Sequence, residues 1–104
     1  MYRATTPTLS YTFNGASPDD FADILITISQ NGQCLINKHK DDCTIKEGMV
    51  SIELTQEETA LLEEGVACTQ IRAITPGGKV HASGMIEFNA EDVLNDEILE
   101  VPDE

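Results

Sequence analysis

Tryptophan is absent from this chain of 104 residues, and two tyrosines and three phenylalanines are its only aromatic side chains. The core must therefore be aliphatic, and a sugar-binding face, which stacks rings on aromatics, has only Tyr2 and Tyr11 to draw on. Basic residues are scarce too: six Lys and Arg stand against nineteen Asp and Glu, a formal net charge of -13. Such a charge repels phosphate backbones and anionic headgroups, which argues against nucleic acid and membrane surfaces as direct partners. No apolar run approaches the roughly 20 residues that cross a bilayer, and "MYRATTPTLS" lacks the hydrophobic stretch of a secretory leader, so a cytosolic product is expected. Cysteine is limited to Cys34, Cys43 and Cys68, an odd number without CxxC spacing. Small buried hydrophobes are their expected role, and a zinc site is unsupported.

What the chain does have is alternation. In "TLSYTFN", Thr8 to Asn14, Leu9, Tyr11 and Phe13 share one side, the period of two of a half-buried strand A. "NGASPDD" is dense in turn formers, and "DILITISQ", Asp23 to Gln30, aligns Ile24, Ile26 and Ile28 as strand B. Asn31-Gly32 signals a type I′ hairpin into strand C, Gln33 to His39. A polar corner, "KDDC", leads to a short strand D at Cys43 to Lys46, and Glu47-Gly48 turns the chain into strand E, Met49 to Leu54, with Val50, Ile52 and Leu54 inward. Strand F is expected at Ala67 to Thr75, with Thr69, Ile71 and Ala73 on one face. "PGGK" then turns into strand G, Val80 to Phe88. There Val80, Ala82, Ile86 and Phe88 are expected on one face, beside a glycine, Gly84, that suggests a bulge.

One segment breaks the pattern. In "LTQEETALLEEG", Thr55 and Glu58 form a capping box, Gln56 to Glu63 read as a short helix with Leu61 and Leu62 as its apolar side, and Gly65 is placed to end it in left-handed geometry. So short a helix must dock on a sheet to exist. The whole reads as all-β: an immunoglobulin-like antiparallel β-sandwich of about seven strands, with one short helix between strands E and F. Residues 1–90 form the sandwich domain and residues 91–104 an acidic C-terminal tail. Glu91 to Glu104 hold seven acids and no base, leaving twelve acids against six bases in the first ninety residues. Within the tail Leu94, Ile98 and Val101 recur at helical spacing, with Val93 and Leu99 beside them, a stripe suited to docking on its own domain or on a partner.

No constellation announces a reaction. His39 and His81 fall at polar-phase or edge positions without a partner at ligand spacing and are expected at the surface. Ser83-Gly84 lies mid-strand rather than on a nucleophile elbow, and "TPGGK" opens a strand where a phosphate loop would open a helix. The pairs Asp19-Asp20 and Asp41-Asp42 lack the ligand ladder of a calcium loop and read as solvated turn residues. No catalytic, cofactor-binding or metal-binding residue is assigned, and no cofactor is expected.

In this order, "MYRATTPTLSYTF", "ITISQNGQCLINKHKDDCTI", "IELTQEETALL" and "IRAITPGGKVHASGMIEF" resemble successive landmarks of a family of small phage and prophage proteins of Gram-positive bacteria. That family's "RGTTPT", "QNGK", "KDDVT", "LTQEET" and "TPDGKV" blocks are similar over about Tyr2 to Phe88. Ala4 stands where the family commonly has glycine, the three cysteines stand at positions usually aliphatic, and the acidic tail is longer than the family's ending. The resemblance implies a sandwich somewhat like the N-terminal modules of baseplate proteins, serving in the virion or its assembly, with no catalytic residues to carry across.

The expected function is accordingly a noncatalytic phage or prophage structural or adaptor protein. It would act by contacts with other phage structural proteins in virion, tail or baseplate assembly, in the bacterial host cytoplasm and then the particle, and homo-oligomers suit such a role. An alternative is an acidic DNA-mimic decoy that inhibits a DNA-binding host protein, although half its charge lies in a terminal tail rather than along one face.

Overall fold

The computed structural model describes residues 1–13, 17–100 and 102. Strand order is the first thing the hydrogen bonds settle. A three-stranded antiparallel sheet runs β1 (Thr8–Thr12), β5 (Met49–Glu53), β4 (Thr44–Lys46). A second antiparallel sheet runs β3 (Gln33–His39), β2 (Asp23–Gln30), β6 (Gly65–Ile74), and then β7 (Val80–Ala82) and β8 (Ile86–Ala90) end to end along the far edge of β6. The protein is an all-β, immunoglobulin-like sandwich. Its strand order is its own, with β2 held between β3 and β6 and β5 between β1 and β4. The turn expected at "NGASPDD" is partly outside the described residues, as are Asn14 and Val101.

Alternation places the core as read. Ile24, Ile26 and Ile28 of β2 have no exposed surface, and Val50, Ile52 and Leu54 face them from the other sheet. Each such aliphatic removed from water contributes about 1.5–3 kcal/mol. Asn31 and Gly32 have φ of 53° and 78°, the positive pair a type I′ hairpin needs, and Glu47-Gly48 repeats it at 52° and 78°. Gln30, in the inward phase of β2, is also buried. Its amide donates to the Glu63 carbonyl at 2.7 Å and accepts from the Glu63 N–H at 2.6 Å, acting as one more rung of backbone.

The helix α1 is shorter than the sequence suggests, Gln56–Ala60, because the chain is needed elsewhere. Gly65, at φ 135°, does not close the helix in left-handed geometry but opens β6 opposite Ala90. The capping box is present: the Glu58 amide donates to Thr55 Oγ1 at 3.1 Å and the Thr55 amide to Glu58 Oε1 at 2.9 Å. Only Leu62 of the expected leucine pair is buried. Leu61, the C-cap residue, is 55% exposed. The buried Thr59 hydroxyl donates to the Thr5 carbonyl and accepts from the Thr5 amide, which lashes the N-terminal arm to the helix.

Two irregularities overturn other expectations. Between Ile28/Ile36 and Ser29/Cys34 the β2–β3 register shifts by one residue, so Cys34 faces outward and is exposed rather than buried. Cys43 and Cys68 are half-buried. The Ser29 position faces Cys34 on one side and Cys68 on the other, which leaves the two thiols two strand spacings apart, about 10 Å, too far for a disulfide. At the far edge of β6, Arg72 pairs with Ala82 but Thr69 with Ile86, so Ser83 to Met85 carry one extra residue. The bulge expected at Gly84 therefore exists, and it reverses the phase. Ile86 and Phe88 face the interior side, whereas Val80 and Ala82 turn to the other face and His81, opposite inward Ala73, takes their place. Ser83 repairs the ladder: its amide donates to the Ile71 carbonyl at 2.9 Å and its hydroxyl accepts from the Ile71 N–H at 3.1 Å.

Candidate interaction surface

The two sheets are unequal in width, and the difference makes the most distinctive surface on the molecule. Tyr11 of β1 reaches across the sandwich to Thr69 of β6, their hydroxyls 2.8 Å apart, so β1 stands above β6. Burial holds the Tyr11 phenol above its usual pKa, while the Thr69 hydrogen bond works the other way. Beyond β6, β7 and β8 extend under no described strand of the smaller sheet. All of β7 is exposed, and Ile86 is 57% exposed although it faces inward. The result is a groove of about 510 Å³ between β1 and the β7–β8 edge. Its aromatic wall is a chain of edge-to-face contacts, Phe13 to Phe21 with centroids 5.6 Å apart and Phe21 to His81 at 6.2 Å.

The groove is bordered by unused backbone. Leu54 donates to the Pro7 carbonyl and Phe13 to the Gly48 carbonyl, so the odd-numbered residues of β1 bond to β5. By the alternation of an antiparallel pair, the N–H and C=O of Thr8, Ser10 and Thr12 point the other way, along an edge that no described strand covers. The far end of β8 is treated differently. Met1 to Arg3 lie along it, with Glu91 N–H on the Met1 carbonyl at 2.7 Å and Arg3 N–H on the Glu91 carbonyl at 2.8 Å.

The tail continues from there as a strap rather than a helix, with no helical turn from Glu91 to Glu100. Arg3 is its anchor and was not singled out by sequence. Its guanidinium donates to the Ala60 and Leu62 carbonyls at the end of α1 and to Asp92 at 2.7 Å and Asp96 at 3.4 Å. Asp92, paired with Arg3 and accepting from the Val93 amide, lies below the ordinary carboxylate range. The Gln56 side chain clips Leu99 by donating to its carbonyl and accepting from its N–H, at 3.0 and 2.9 Å. Leu94 is fully exposed and Leu99 largely so, which means polar groups, not an apolar stripe, hold the strap.

The other residues weighed from sequence are scattered. His39 is on the surface with Nδ1 3.0 Å from Asp23, whose pKa is lowered by that contact and by the Ile24 and Lys40 amides. His81 is exposed but lies in the groove instead of on a polar face. Asp19 and Asp20 are exposed in a 3-10 turn, Asp41 and Asp42 in another, and among the described residues no three acids, histidines or cysteines could hold a metal ion. Among the described residues, no helix is long and apolar enough to cross a membrane. The groove itself went unseen because the signal for it, a phase reversal at Ser83 to Met85, is one residue long. The chain matches no protein-family description, no curated protein and no solved structure.

Proposed function

We propose that the protein is a noncatalytic structural or adaptor component of phage or prophage particles, working through contacts with other structural proteins. The observation that carries this reading is the groove: an apolar, aromatic-walled opening flanked by an uncovered strand edge is equipped to bind polypeptide. Its chemistry speaks against turnover. His81 is the one imidazole in the described lining, and its ring stands edge-on to Phe21 rather than against an acid. The phage assignment rests on the sequence resemblance. A DNA-mimic decoy draws less support, because Asp92 and Asp96 are turned onto the protein's own Arg3 instead of being displayed in a row. Quantitative mass spectrometry of particles from an induced lysogen encoding the protein tests the reading, with many copies per particle expected. Absence from both particles and assembly intermediates would overturn it.

A further inference from the structure

We propose that the groove receives a single extended segment from a partner, which adds as a fourth strand to the smaller sheet beside β1. Resting on the adaptor reading, this names the chemistry of the occupant: about five residues, uncharged, alternately apolar, flanked by basic residues, and not already part of a sheet.

Each term has its own observation. The vacancy above β7–β8 is one strand wide, because β1 stands over β6 and a single strand position of the larger sheet lies beyond it. The length follows from β1, whose five residues present the N–H and C=O of Thr8, Ser10 and Thr12 to the vacancy. Alternation follows from the two sides the added strand would have, one over Ile86 and His81 and one toward solvent. Charge supplies the rest. In a protein at -13, the described groove lining contains no Lys, Arg, Asp or Glu, so the inserted part is neutral. Nearby in sequence, Asp19 and Asp20 precede Phe21 and Glu87 follows Ile86, against Arg72 and Lys79, a small acidic excess that, with the net charge of -13, favours a cationic approach.

The same geometry rules out two occupants from this chain. A second copy cannot pair β1 to β1, because strands sit about 4.8 Å apart and both overhanging β7–β8 edges would need the space beneath that one seam. The tail is acidic and is held at the other end of β8 by Arg3 and Gln56.

The test is fluorescence anisotropy with a labelled peptide whose Val-Thr-Val-Thr-Val core is flanked by two lysines at each end. Binding at about 10–100 μM is expected, in the range of a transient strand addition. N-methylating one set of alternate amides should weaken it at least about tenfold, while methylating the other set leaves it unchanged, because only one edge of the peptide meets β1. On the protein side, Ser10→Pro removes an N–H that points away from β5, a position where an edge strand tolerates proline, and should weaken binding as much. Circular dichroism confirms that the variant folds, and the methylated peptides test the unmodified protein in any case. No binding at about 1 mM, equal binding of both methylated peptides, or binding that depends on the lysines alone would each overturn the proposal. A protein abundant in particles that fails the peptide test loses the strand-acceptor role and keeps the adaptor one.

Discussion

Ala4 holds a φ of 54°, in the left-handed region where an L side chain is strained and glycine is not. Ala4→Gly is expected to stabilise the protein by about 0.5–1 kcal/mol, the relief of strain less the extra chain entropy glycine brings to the unfolded state. A rise in the urea midpoint with an unchanged slope would register it. Single residues were unevenly legible. Asn31-Gly32 was readable because its two positive φ values have a sequence signature, whereas nothing about an alanine announces a strained turn. Gln30 was invisible for a related reason: a glutamine in the inward phase looks like the end of a strand until the Glu63 backbone is seen to complete it.

Among the elements, α1 is one whose stability should follow pH. Burial, the largest single influence on Glu58, raises its pKa. The Lys38 hydrogen bond at 2.7 Å, the Thr55 amide and the Lys38 charge together outweigh burial and hold it below the ordinary value of 4.5. A carboxylate whose pKa is lowered by folding stabilises the native state above its unfolded pKa and loses that contribution as pH falls through the folded one. Lys38→Met should therefore cost about 0.5–1 kcal/mol at neutral pH, with the gap to the parent closing as pH falls through the ordinary carboxylate value and below it. Parallel denaturation series would show it, and since all other carboxylates are common to both proteins, the difference isolates this pair. The capping box was plain in the sequence because it is local, its two residues three positions apart. Its Lys38 partner was not, because Lys38 reaches it from β3 across the fold.

The whole molecule carries -13, and like charges favour the expanded chain over the compact one. Raising sodium chloride from about 20 mM to about 300 mM shortens the screening length several-fold and should raise Tm by about 2–5 °C, even as the Arg3 clasp on Asp92 and Asp96 weakens. Differential scanning calorimetry at fixed pH reads this, and a fall in Tm would mean that the clasp outweighs the repulsion. At this scale the sandwich was legible, since period-two spacing of Ile, Val and Leu needs only the alternation of a strand. The mismatch in sheet width was not, because it depends on which strands pair, and pairing is long-range. The extra residue between Ser83 and Met85 has one more effect. Side-chain orientation along this edge is a matter of odd and even, so deleting any one of those three codons would set two residues against Gln70 and Ile71, make the ladder regular, and leave Val80 and Ala82 outward and His81 toward the opening. The least conspicuous loop in the chain is thus a place where one letter can be lost and the facing of its neighbours kept.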